Sequence, residues 1–482
     1  MHAPTQEPQV GAVKFTMLLA GVVLLLMMVL GVVMRAAQAG MISVNPVLFY
    51  QLLTAHGAGM VGVAGLTGAA VLWYFIGRYV PLVRAVFWIF LALFLLGVVL
   101  ILGAIFIGGY GGAWTFLFPL PAKSGGVWGV HAAGAFMLGY VAIGVGFLLL
   151  YLEVGRKLIG AYGGLGGALG WRLISGRQDP DSAPPPAVIA AMATTVFNTI
   201  GTVVGAAVLA SCLVNLYVPS FTVDALLAKN MTYFFGHVFI NASIYMAVIA
   251  VYEILPEYTG IPWKSTRLFA VAWTAVLLFV MAVYPHHALQ DTVMPAWALV
   301  LGQVLSYLSG IPLLAVTAFS LVSYLRKSTS MRWDLASALL VLGVAGWSVG
   351  SVPAIIDGMI SVNKVMHNTQ WVPGHFHIYL VLGEVVMSFG FMLWLVRGRV
   401  MSAATSLDWV AFSSYLAGAV GFTLMFLVSG ALSVPRRWAV HAPEWMPQDR
   451  IATLFSVLVV GGATLMVIRY IRGLAQREPA VK

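Results

Sequence analysis

The chain has 482 residues, of which 61% are hydrophobic and only 8% charged, against roughly 25% charged in soluble proteins; that excludes a soluble enzyme and predicts an integral membrane protein. The formal charge of +10 comes from basic residues scattered singly through loops rather than clustered on one face, which excludes a nucleic-acid surface. A single cysteine, Cys212, excludes a disulfide framework or thiolate metal cluster built from this chain, so any metal must take His or oxygen ligands.

Apolar runs of about 20 residues or more, long enough to cross a bilayer, fall at 12–34, 47–76, 82–108, 127–152, 187–217, 230–255, 265–287, 293–324, 332–357, 371–397, 407–431 and 450–472. The fold class read from them is an all-α integral membrane bundle of about twelve transmembrane helices. The first run is longer than a signal-peptide core and is read as a retained span. Sorting Lys and Arg by loop tests the count. Of the 25 basic residues, all but Arg35, Lys123, Lys229, Lys364, Arg436, Arg437 and Arg450 fall on one side, so both termini are cytoplasmic by the positive-inside rule. The Gly- and Pro-rich stretch 155–186 reads as a cytoplasmic linker between helices 4 and 5, within a single domain of 1–482.

Six of the ten histidines come to one depth. With this topology His56, His237, the pair His286 and His287, and the pair His375 and His377 all fall in the outer third of the bilayer, counted at about 1.5 Å per residue. Imidazole in a membrane is costly and marks function, and it is the commonest metal ligand. In WVPGHFHIY, from Trp371, the two histidines leave opposite sides of one helix, being i and i+2, so one rod can serve two sites. Pro285 loosens the helix and lets His286 and His287 turn to one point; with His237 they form a three-imidazole set suited to Cu or Zn. His56 and one of the helix-10 pair could sandwich a heme iron, leaving the other as single ligand of a second heme.

These residues lie in strings that resemble a known family. HGAGM at His56, GGAWTFLFPLP from Gly111, GHVF at His237, YPHH ending at His287, HNTQWVPGHFH from His367 and SVPRR ending at Arg437 resemble catalytic subunit I of the heme–copper oxidase superfamily, most closely its B-type (ba3-like) branch. The resemblance implies two hemes and one copper. His56 and His377 would ligate a low-spin heme, His375 a high-spin heme, and His237, His286 and His287 the copper facing it. Arg436 and Arg437 would pair with heme propionates, with Trp114, Trp371, His367 and Asn368 lining that side.

The chain departs from the family where substrate is chosen. The ba3-like oxidases carry a tyrosine four residues after the first copper histidine, and here that position is Asn241. Another branch takes it from helix 7, six residues before the histidine pair, and here that is Val280. Tyr233 and Tyr284 match neither arrangement. Splitting dioxygen in one step draws four electrons, one of them from that tyrosine. Reducing two NO to N2O and water takes two, which one iron and one copper can supply. Other nitric oxide reductases of the superfamily place a glutamate at the position of Asn241 to hold iron, and its absence keeps copper as the metal. The expected activity is therefore nitric oxide reduction on a B-type frame, with cytochrome c oxidase as the alternative.

A cofactor-free twelve-span transporter is the competing reading of another class, and predicts midplane polar sites rather than six histidines at one level. A polar line from the cytoplasm is expected on helices 6 and 8, at Tyr245, Tyr252, Glu253, Ser306 and Thr317, interrupted by Leu313 and Leu314; Glu384 is an intramembrane carboxylate without a role. With no cysteine pair or CXXCH in the chain, electrons are expected from a subunit II-like partner or a cytochrome c. The expected setting is a bacterial or archaeal cytoplasmic membrane, with lipid contacts and no nucleic acid.

Overall fold

The computed structural model describes residues 9–114, 123–329, 331–397 and 404–476. Thr115 to Pro121 of the GGAWTFLFPLP string and the basic residues Arg399, Arg477 and Lys482 lie outside these. Twelve helices are long and apolar enough to span a membrane: α1 Val10–Gln38, α2 Pro46–Ile76, α3 Arg84–Phe106, α4 Val130–Ala161, α5 Pro186–Tyr217, α6 Ala225–Thr259, α7 Arg267–Ala288, α8 Ala296–Lys327, α9 Leu335–Asp357, α10 Trp371–Trp394, α11 Ser406–Ala431 and α12 Met446–Ala475. Among the described residues there is no strand, only an isolated bridge between Thr369 and Pro435. The chain is a multi-pass membrane protein, since helices are the open-ended elements that satisfy every backbone polar group inside lipid.

Helix ends follow local chemistry. Asp224, Thr266, Asp334 and Thr405 cap α6, α7, α9 and α11 by accepting backbone N–H bonds, which removes one orphan donor from each. The stretch read as a linker from 155 begins as helix, because α4 runs on to Ala161. Two short helices follow, Leu165–Ala168 and Trp171–Ile174.

Consecutive spans pack as neighbours, and α12 returns to α1. The Tyr470 hydroxyl donates to the Lys14 carbonyl at 2.9 Å, which puts the start of α1 beside the end of α12 on one face. At their other ends Arg35 pairs with Asp449 at 2.6 Å and donates to Gln370 at 3.0 Å. Asp449 also holds His441 at 2.6 Å. The spans with the largest buried share are α10, α6 and α2; they carry four of the six histidines and form the centre of the bundle.

α10 is not uniform. It runs as α-helix over Trp371–His377, as π-helix over Ile378–Glu384 and as α-helix again over Val385–Trp394. The widened segment presses on α9 at Gly346, where a Cβ would overlap the Leu382 carbonyl. Tyr415 of α11 donates to the Val381 carbonyl at 2.7 Å, supplying a partner where the helical ladder is stretched.

Replacing Asp449 with Leu leaves Arg35 buried without its counter-charge. The expected loss is about 3–5 kcal/mol, read as a lower thermal-inactivation temperature of the detergent-solubilised protein relative to Glu257→Leu, which breaks a half-exposed pair with Arg397.

Candidate functional site

α6 presents His237, and α7 ends in a 3-10 turn, Tyr284–Ala288, that carries His286 and His287. The proline in that turn has no N–H to continue the helix, and Gly302 of α8 lets the turn sit against it, since a Cβ there would meet the His286 backbone. Lys229 of α6 pairs with Asp291, tying the chain beyond the turn to the start of α6. The ligand atoms of the three histidines lie within 4.8 Å of one another. His237 Nδ1 and His286 Nε2 each stand 3.1 Å from His287 Nε2. Ser306 donates its only proton to the Gly302 carbonyl at 2.8 Å, so it accepts from His286 Nδ1–H at 2.7 Å. That bond leaves the Nε2 lone pair of His286 facing its neighbours. Asn241 lies one turn beyond His237, its amide 3.1 Å from His237 Nε2.

A second pair forms across α2 and α10. The rings of His56 and His377 have centroids 6.4 Å apart and planes 23° from parallel. His56 Nδ1–H donates to the Met27 carbonyl at 2.7 Å and His377 Nδ1–H to the Pro373 carbonyl at 2.6 Å. A carbonyl only accepts, so both rings carry the proton on Nδ1 and keep Nε2 free, as metal-binding imidazoles do. Phe426 stacks on His377, and the Arg35 guanidinium lies 4.0 Å over the Phe426 ring. His375 leaves the other side of α10, its Nδ1 3.4 Å from Asp357 of α9. The opposite exits expected for residues two apart on a helix are realised.

All six histidines border one internal cavity of about 740 Å³. Trp114 stacks on Phe376, between His375 and His377 in the chain, with centroids 6.2 Å apart, and rests over Gly57. Trp371 donates its indole N–H to the Pro353 carbonyl at 3.1 Å, fixing the start of α10. Arg436, Arg437, His367 and Asn368 line the outer end. The Arg436 backbone N–H donates to the Asn368 carbonyl at 2.9 Å, and Arg437 takes a left-handed φ of 64°, unusual outside glycine. Burial, then its like-charged neighbour Arg437, lowers the Arg436 guanidinium to about 10. Burial and then Arg436 lower His367 to about 4, keeping that ring neutral at neutral pH. Among the described residues neither arginine has a carboxylate partner, which leaves the outer end of the cavity poised for anions.

The tyrosine candidates separate. Tyr233 stacks on His287 with centroids 5.6 Å apart and planes 19° from parallel, whereas Tyr284 turns to Phe234. Val280 is buried in the core. Of the polar line expected on helices 6 and 8, Tyr252 and Thr317 join at 2.6 Å and Tyr245 borders the cavity. Ser306 belongs instead to His286, and Glu253 turns to the loop after α2, where Tyr79 donates to it at 2.7 Å and Arg78 lies 3.6 Å away. Sequence reasoning missed Arg35, Gln370, His441, Asp449 and Asp357. An arginine directly abutting an apolar run was the available signal for the first, and it was counted only as a topology marker.

Comparison with known proteins matches the geometry to a family. The family described as Cytochrome C and Quinol oxidase polypeptide I matches residues 11–464. Cytochrome c oxidase subunit 1 of Thermus thermophilus is 28% identical over 269 residues, covering 51% of this chain and 46% of that protein. The heme-copper oxidase subunit I+III of Aeropyrum pernix is 23% identical, covering 52% of this chain and 31% of the relative. These matches thus span less than half the relatives' own length. Cytochrome c oxidase subunit 1 of Synechocystis is 24% identical over 91% of this chain and 78% of its own. The fold is shared with a heme-copper terminal oxidase dimer solved by cryo-EM, at a TM-score of 0.79 and 23% identity over 98% of this chain and 85% of that one. With nearly its whole length matched, this chain belongs to the heme–copper oxidase subunit I family.

Proposed function

We propose that the chain is the catalytic subunit of a membrane respiratory reductase, of the B-type branch, that reduces two NO to N2O and water. In this reading His56 and His377 hold a low-spin heme, His375 a high-spin heme, and His237, His286 and His287 a copper ion. Bound there, these groups supply electron transfer and the reduction of a coordinated gas. Electrons come from a subunit II-like partner or a cytochrome c, in a bacterial or archaeal cytoplasmic membrane.

The residues fit such groups. Metal–nitrogen bonds of about 2.0 Å on both sides put two axial imidazole centroids roughly 6 Å apart, against 6.4 Å between His56 and His377. The three-histidine set includes no carboxylate among the described residues, which suits copper over iron. Arg436 and Arg437 offer unpaired guanidiniums to the carboxylates of a porphyrin, with the neutral His367 ring and Asn368 beside them. Ser306 accepts from the outward nitrogen of His286, and such a bond fixes ring orientation and ligand basicity; the Asn241 amide stands against the outward nitrogen of His237.

The observation that carries the substrate is Asn241. An amide stands 3.1 Å from His237, where the oxidases place the tyrosine that supplies the fourth electron for splitting O2. The second reading, cytochrome c oxidase activity, is favoured by Tyr233, whose ring stacks on His287 and could donate hydrogen from the other side of the cluster.

The purified complex is expected to show the visible spectrum of two hemes and to consume NO faster than O2 when reduced. Robust O2 turnover with little NO turnover overturns the nitric oxide reading, and a featureless spectrum overturns the heme assignment. Ser306→Ala should lower copper affinity by about 10- to 100-fold, measured as copper per heme after dialysis against a chelator. Asn241→Tyr should leave O2 turnover slow, as stopped-flow oxidation of the reduced protein would show, because the covalent link to His237 that the ba3-like oxidases carry does not accompany the change.

A further inference from the structure

Four acidic side chains are buried among the described residues: Glu153, Glu384, Asp408 and Asp449. Three hold an arginine. Glu153 pairs with Arg156, Asp408 with Arg469 and Asp449 with Arg35. Glu384 is 0% exposed and, among the described residues, pairs with no cation. Its Oε2 lies 3.1 Å from Ser243 Oγ on α6, and its Oε1 has no hydrogen-bond partner. Ser243 has one hydroxyl proton and a nearer acceptor in the Ile240 carbonyl, at 2.8 Å. That one proton is thus shared between the Ile240 carbonyl and the Glu384 carboxyl, which is left with less than one full hydrogen bond. A carboxyl kept for structure alone would be paired in such surroundings, since an uncompensated buried charge is strongly destabilising.

Its placement gives it a use. Glu384 closes the π-helical segment of α10, and segments of that kind recur at functional sites because the extra residue redirects the side chains that follow. The carboxyl borders the same cavity as His237, Asn241 and the two α10 histidines. One turn further on, Ser388 donates to Thr67 of α2 at 3.0 Å, and both residues line the cavity. On the same face of α2, seven residues beyond Thr67, stands Tyr74. The Arg78–Glu253 pair follows at the end of the span. Polar groups thus recur along the α2–α10 seam from the cytoplasmic rim to Glu384.

We propose that Glu384 is the proton-holding residue for the gas-reducing site, loaded along the α2–α10 seam and discharged through cavity water toward the His237 cluster. The proposal rests on the reading of that cluster as the reduction site. Reducing two NO to N2O and one water consumes two protons and two electrons. Glu384 releases one proton, becoming carboxylate, and takes one back from the cytoplasmic side before the next, so it undergoes no net change. The electrons arrive separately, by way of the His56–His377 site.

The test uses the full complex with its hemes, as wild type, Glu384→Gln and Glu384→Asp. Redox-difference infrared spectra, which need no substrate, are expected to show a carboxylic C=O band that is absent in Glu384→Gln and displaced in Glu384→Asp. Proton uptake from a pH-indicator dye, after mixing reduced protein with NO, is expected to slow on the order of 100-fold in Glu384→Gln. The optical spectrum and the electron-entry rate should stay unchanged, and Glu384→Asp should recover most of the uptake. No carboxylic band in the wild type, or undiminished uptake in Glu384→Gln, overturns the proposal. Should Glu384→Gln lose its hemes, an undisplaced band in Glu384→Asp overturns it alone. Failure of the wild type to consume NO overturns the reading of the site instead, and leaves the infrared result to judge Glu384.

Discussion

Three imidazoles converge in one low-dielectric cavity, His287 Nε2 standing 3.1 Å from a ring nitrogen of each of the other two. Much of the local structure exists to hold them there. The end of α7 gives up helical bonding at the YPHH turn, α8 omits a side chain at Gly302 to receive it, and Ser306 and Asn241 stand at the outward nitrogens. The arrangement is a preorganised receptor, its donor nitrogens within 4.8 Å of one another and their orientation fixed by the surrounding chain.

α10 solves a different problem, that of serving two centres from one rod. His375 and His377 depart toward α9 and toward α2 and α11 because they are two apart on a regular helix. The π-segment begins only after them. Below it the same helix turns its polar residues onto a different set of neighbours. Gly346 and Tyr415 make this change of pitch tolerable, one by allowing close approach and the other by supplying a donor to the Val381 carbonyl. The widened segment is thus a joint between a histidine-bearing half and a half lined with hydroxyls and a carboxyl.

Much of this was legible from residue types alone. Twelve spans follow from the cost of exposing backbone and charge to lipid, and the six histidines announce themselves because nothing cheaper explains imidazole at one depth. What could not be read was set by long-range geometry. A π-helix has no composition of its own, so the redirection at Ile378–Glu384 left no mark. Glu253 was assigned to a line on α6 and α8 because its neighbours in sequence pointed there, yet Tyr79 and Arg78 in the turn after α2 offered it better partners. Span 12 was begun at 450, one residue too late to include Asp449, and α4 outran its apolar core to Ala161. Asn241 was legible as a departure, while its hold on His237 needed the side-chain geometry.

The Arg35–Asp449 pair carries a consequence for the order of synthesis. Its partners are separated by 414 residues, roughly 20 to 80 s of translation at 5–20 residues per second. Through that interval the guanidinium is charged and has no carboxylate to meet, so the outer end of α1 must stay near lipid headgroups and water. α1 can sink to its final depth only after α12 has been inserted beside it. α1, made before the eleven spans that follow it here, is in this sense finished after them, and closure of the bundle waits on α12.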